Sequence, residues 1–309
     1  MRRPCVLALV LVAGSGFALA QQVSDLGYAP PVPRPAYQAG QGPRVAIDEA
    51  HHNFHTATGR YQPFAELLRR DGYRVDGLGR TWSPEALEGV DVLVVANALN
   101  ERNAEDWSLP TPSAFTTSEI AAVRAWVEQG GALFLIADHM PFPGAAGELA
   151  RAFGVEFNNG LAAPGHREPG RPDRFERGAG LMESPVTSGR TDDEKVAQVT
   201  TFTGSAFKPP TGAVPVLVFG AESVSYETRK SLEVTPDTPK VPIEGWCQGA
   251  IMNVGKGRVA IFGEAAMFSA QLAGPNRQPM GMNSPFATRN YQFLLNIFHW
   301  LTRVPGMPH

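Results

Sequence analysis

From residue 44 onward, short apolar runs alternate with longer amphipathic stretches, the pattern of a parallel sheet joined by crossover helices. Arg44–Asp48 predicts a first strand, residues 61–71 a helix and 73–78 a second strand. Residues 91–96 read Asp-Val-Leu-Val-Val-Ala, an unalternating apolar run that predicts a central strand buried on both faces. Thr117 is expected to cap a helix over 118–129, with Gly130-Gly131 ending it. Residues 132–137 predict another buried strand, and a helix follows at about 145–153. The stretch 160–195, polar and rich in Gly, Pro and Arg, predicts a long excursion over one face. Residues 214–219 are strand-like, and 250–254 and 258–263 flank Gly255-Lys256-Gly257 as a hairpin. Asn290–Leu301 closes the chain as a helix with an apolar stripe of Phe293, Leu294, Ile297, Phe298 and Leu301.

The chain before this pattern reads differently. Arg2 and Arg3, the apolar stretch 6–12 and Ala18-Leu19-Ala20 predict a signal peptide over residues 1–20, hence a periplasmic or secreted protein. The apolar stretch is too short to span a membrane. Five prolines over residues 21–43 predict an extended linker, residues 44–303 a single α/β domain, and 304–309 a tail. Removing residues 1–20 takes Cys5 with it, leaving Cys247 as the only cysteine and excluding an internal disulfide. With 27 Lys plus Arg against 30 Asp plus Glu, the net charge is −3, without the basic excess of a nucleic-acid binder. The expected partner is a small molecule or a glycan, with no nucleic acid and no membrane span.

Ionisable residues collect where strands are predicted to end. Residues 48–55 read Asp-Glu-Ala-His-His-Asn-Phe-His, placing three of the seven histidines just after the first strand. Asp138-His139 follows the strand at 132–137, Asn97 follows that at 91–96, and Glu264 follows that at 258–263. Ligands of open α/β sheets bind outside the carboxyl ends of the strands, so one rim is expected to gather these groups. Asp48, His52, Asp138, His139 and Glu264 are the candidate catalytic residues, with Glu49 and Asn97 as ligand contacts. Asp48, His51, His52 and His55 are the candidate donors for a divalent metal. The same residue types equally suit metal-free acid–base chemistry. A His-Glu-x-x-His helix, a Gly-x-Ser-x-Gly elbow in the domain, a phosphate-binding Gly-rich loop and a dinucleotide Gly-x-Gly-x-x-Gly after the first strand are all absent. Cys247 has no motif around it and reads as a buried, inert thiol.

The strand with Asp48 and the histidine cluster, the strand Val92–Ala96, Trp126–Gly131 leading into Ala132–Asp138, and the helix from Phe293 to Leu301 resemble the class I glutamine amidotransferase-like superfamily. Ser184 to Gly189, Val199 to Phe207 and Gly263 to Ser269 are similar to its DUF4350 and ThuA-like branch, so the resemblance covers about residues 44–303. It implies a flavodoxin-like α/β fold, a mostly parallel sheet with helices on both faces. It also implies a cysteine nucleophile at the turn where this chain carries Asp138-His139, so thioester chemistry is not available here. Two functions follow: a hydrolase, with or without a metal, or a non-catalytic ligand-binding module of the cell envelope.

Overall fold

The computed structural model describes residues 22–166, 168 and 170–308. The predicted signal peptide, with Cys5, lies outside the described residues. Among the described residues, twelve strands join one sheet. Its path uses β1 (Arg44–Asp48), β2 (Arg74–Leu78), β3 (Val92–Ala96), β4 (Ala132–Ile136), β5 (Asp173–Arg177), β6 (Gly180–Leu181), β7 (Gln198–Thr201), β8 (Val214–Val218), β9 (Cys247–Val254) and β10 (Gly257–Phe262). The spatial order is β7-β5-β6-β8-β9-β10-β4-β3-β1-β2. The five strands β2, β1, β3, β4 and β10 are mutually parallel. Numbered by their own succession they stand 2-1-3-4-5, the flavodoxin-like order. Beyond β10 the sheet continues antiparallel through β9 and β8.

Burial explains this order. Every residue of β3 and β4 is buried, so their apolar runs belong at the centre of the sheet. Val45, Ile47, Val94 and Phe134 face a core shared with α1 (Gln62–Arg70) and the closing helix Asn290–Leu301. Ala46, Leu93, Val95 and Leu133 face a second core formed with α2 (Thr117–Gln129) and α3 (Phe142–Ala152). Helices therefore cover both faces of the parallel half. In the first core the Phe134 ring is met edge-on by Phe262, Phe268 and Phe298 at centroid distances of 5.2–5.7 Å.

Several boundaries differ from expectation for local reasons. The cap of α2 is Thr116 rather than Thr117: its hydroxyl accepts from the Glu119 N–H, and Glu119 accepts from the Thr116 N–H, a reciprocal pair that fixes the first turn. The helix α3 begins at Phe142, earlier than 145, because Pro143 suits a first turn. The excursion over 160–195 supplies β5, β6 and a short helix, α4 (Pro185–Ser188), instead of lying outside the sheet. With Phe175 its one buried apolar side chain, β5 carries a weak sequence signal; pairing to β7 holds it. The β9–β10 hairpin turns on Gly255-Lys256, where Gly255 has φ +57° and any side chain would meet the Glu128 backbone.

The Pro-rich stretch runs along the domain. Residues Val23–Ser24 pair with Leu272 and Gln271 of the strand Ala270–Ala273. Further on, Arg70 donates to the Pro30 carbonyl, the Ala36 N–H donates to Asp71, and Tyr37 packs edge-on against Tyr73. Val304 and Met307, past the closing helix, are also buried.

Phe134 is the point on which four aromatic rings converge, so Phe134→Ala is expected to cost about 3–5 kcal/mol. Urea unfolding measures it: a midpoint that falls with an unchanged slope is expected.

Candidate functional site

The carboxyl ends of β10, β4, β3 and β1 stand side by side, and each delivers a polar residue: Glu264, Asp138, Asn97 and Asp48. Two of these ends open on a cleft of about 80 Å³. His55, Asn97, Asp138, His139, Thr203 and Gln271 supply its polar wall. Phe54, Trp107 and Phe142 supply an aromatic wall, with Trp107 edge-on to Phe54 at 5.2 Å and to Phe142 at 4.9 Å. Gln22 and Leu232 also line it. The cleft lies over the ends of β3 and β4, with Phe54 and His55 of the loop after β1 closing one side, in a sheet whose strand order reverses between β1 and β3.

Asp138 organises the cleft. Its Oδ1 accepts from the His139 N–H at 2.7 Å and from the Thr203 hydroxyl at 2.9 Å, and its Oδ2 accepts from the Ala265 N–H at 3.2 Å. Its own N–H donates to Asn97 Oδ1 at 2.9 Å. Asn97 holds φ +50°, a left-handed conformation that asparagine tolerates. The His139 ring lies with Nδ1 2.8 Å from the Met140 carbonyl and 3.2 Å from Ser231 Oγ. A carbonyl can only accept, so in the neutral ring Nδ1 carries the proton and Nε2 the lone pair. The same tautomer prevents His139 from taking the Ser231 proton through Nδ1. Behind this wall, fully buried Glu264 accepts from the Ala266 and Met267 N–H groups. Burial, then the nearby charge of Asp138, pushes its pKa well above the ordinary carboxylate value, against the backbone N–H groups that favour its charged form.

His55 is 3% exposed and both of its ring nitrogens lack a hydrogen-bond partner. It packs against Tyr61 at 4.4 Å and Phe54 at 5.2 Å. Burial, helped by the charge of Arg60, lowers its pKa to about 3, so its imidazole is neutral.

His51 is its opposite. Its Nδ1 contacts both oxygens of Asp48 at 2.9–3.0 Å and its Nε2 contacts Glu119 Oε1 at 2.9 Å. The Trp82 indole N–H adds a bond to Asp48, and the Trp82 backbone N–H adds one to Glu119. Burial opposes the charge on His51, but bonds and charges from Asp48 and then Glu119 outweigh it and raise its pKa. Glu119 is lowered despite burial, by bonds from Thr116, His51 and Trp82. The cluster ties the end of β1 to the start of α2, and both ring nitrogens of His51 are engaged.

The rim thus divides the expected residues. Asn97, Asp138, His139 and His55 meet in the cleft, with Glu264 one layer behind. Asp48 and His51 form a separate buried pair with Glu119. His52 is exposed at φ +46° and lies outside the cleft wall. Glu49 accepts from the Ala57 N–H at 2.8 Å and staples its own loop rather than contacting the cleft. The expected metal donors therefore do not converge: His51 has no lone pair to offer, His52 faces solvent and His55 lies against Tyr61. Among the described residues, no group of three or more His, Cys, Asp or Glu is placed to hold a metal ion. Thr203, Gln271, Trp107 and Glu119 were not legible in the sequence, because each reaches its cluster from a distant segment with no local motif. Cys247 is buried and unpaired, and burial pushes its thiol up to about 12.

No family model and no curated protein matches this sequence. Among solved structures, the mmIFT52 N-terminal domain is similar at 15% identity, over 84% of this chain and 97% of that one, with a TM-score of 0.60. A cytoplasmic protein of Salmonella typhimurium LT2 is similar at 13% identity over 84% and 100%, with a TM-score of 0.50. A putative ThuA-like protein from Bacteroides uniformis ATCC 8492 reaches 0.45 at 14% identity over 88% and 94%. The first two likenesses show a shared fold. With the 2-1-3-4-5 parallel order, the chain has a flavodoxin-like α/β fold of the kind its resemblance to the glutamine amidotransferase-like superfamily implies.

Two outcomes follow. A proton held more tightly by folded than by unfolded His51 stabilises the fold fully below the ordinary value of 6.5. That contribution is lost as pH rises through the elevated folded value. The melting temperature should accordingly decline as pH rises above 6.5, and His51→Gln should be less stable near pH 6 and should lack that decline. A decline of equal size in the variant would show that His51 is not its source. For Cys247, a thiol probe at pH 8 should leave the native protein unlabelled and label it fully in denaturant.

Proposed function

We propose that this chain is an exported member of the DUF4350 and ThuA-like branch whose rim cleft hydrolyses a small molecule or the end of a glycan without a cysteine nucleophile. The observation that carries this reading is the lone pair of His139 Nε2, fixed by the Met140 carbonyl, in a cleft shared with Asp138, Asn97 and His55. His139 is the base that takes a proton from water. Asp138 acts by position, because its Oδ1 holds the His139 backbone and Thr203. No step is routed through a metal, since the expected donors do not converge: Asp48 and His51 are engaged with protein partners, His52 faces solvent and His55 packs against Tyr61. Export is supported by Arg2-Arg3, the apolar stretch and Ala18-Leu19-Ala20.

A second reading, ligand binding without turnover, is favoured by the state of Asp138. With three donors already on its carboxylate, it is part of the scaffold, and His139 stands as a single base.

His139→Gln separates the two. On a panel of ester, amide and glycoside substrates, turnover should fall at least about a hundredfold while the protein stays folded. Equal hydrolysis by the variant sinks the role of His139. A wild-type protein that binds a ligand and turns over none of the panel supports the binding module.

A further inference from the structure

We infer that the rim cleft takes a small, uncharged molecule carrying several hydroxyl groups, an inference that rests on the ligand site proposed above. Its warrant is the inventory of hydrogen-bonding atoms that the protein leaves unmatched at one place. Gln271 is 1% exposed, and its Oε1 has no partner. The amide orientation is fixed by its neighbour. The Ser269 hydroxyl donates to the Ala266 carbonyl at 3.0 Å, so its oxygen can only accept, and Gln271 Nε2 is the donor at 2.7 Å. The unmatched atom of Gln271 is therefore an acceptor.

His139 Nε2 is a second acceptor, and neutral His55 contributes one acceptor and one donor. The Asn97 oxygen is engaged by the Asp138 N–H, which leaves its NH2 as a further donor. With the His139 ring in its neutral form, the cleft thus offers three acceptors and two donors on separate elements. The Gln271 oxygen and both His55 nitrogens are buried without a partner, so an occupant that pairs them is favoured.

The charge balance decides between ligand classes. Asp138 is the one carboxylate among the lining residues, and three protein donors already occupy it. A cation would find no free counter-charge, and an anion would meet that carboxylate together with lone pairs of Gln271 and His139. A hydroxyl both donates and accepts, and a polyol spreads hydroxyls along a carbon chain as these partners are spread. Its C–H faces suit the rings of Phe54, Trp107 and Phe142. At about 80 Å³ the cleft has room for a handful of water-sized groups, which matches a three- or four-carbon polyol or the edge of a larger one.

The test follows the ring Cε1–H signals of the seven histidines in the full chain, assigned by single substitution, during titration with erythritol, acetate, ethylammonium or acetamide. Erythritol should move the His55 and His139 signals together and leave His51 and His299 unmoved. Gln271→Met should weaken this binding about tenfold without lowering the melting temperature. If acetate, ethylammonium or acetamide moves both signals and erythritol does not, the ligand class is wrong and the site stands. If no probe moves either signal, the inference and the ligand site fall together.

Discussion

The carboxylate of Asp138 gathers hydrogen bonds from three stretches of chain: its own turn at His139, Thr203 after β7, and Ala265 after β10. The β3 rim joins through Asn97, whose side chain caps the Asp138 N–H. A charge at the end of a buried strand is tolerated only when donors surround it, and here those donors are the groups that must be aligned to build the cleft. Satisfying one buried carboxylate and placing the walls of the site are therefore a single structural requirement. The turn that could have carried a nucleophile instead carries the residue that holds its neighbours in register.

Two histidines four positions apart have opposite electrostatics. His51 lies between two carboxylates and stays charged, a buried ionic bridge whose partners come from β1 and α2. His55 lies among rings with no carboxylate in contact and stays neutral. The first rigidifies the scaffold and has nothing left to bind with. The second keeps both nitrogens buried and unmatched. Residue type alone does not separate them; the partner of each nitrogen does.

This is where sequence reading reached its limit. The parallel strands were legible because β3 and β4 are continuous apolar runs, and the rim residues were legible because they follow those runs directly. Asn97, Asp138 and His139 needed no more than that. The histidine cluster looked like a metal donor set because Glu119, which claims His51, lies 68 positions away with no local motif to mark it. Gln271 and Thr203 were invisible for the same reason, since a side chain's role here depends on which strand end it is folded against. β5 and β6 were missed because pairing with neighbouring strands, rather than their own composition, makes them strands.

The pairing of Val23–Ser24 with the strand Ala270–Ala273 also places Gln22 in the wall of the cleft, beside Gln271. A strand of two residues is held by few hydrogen bonds, so one side of the cleft is set by a pairing far shorter than those that fix the strand ends of the main sheet.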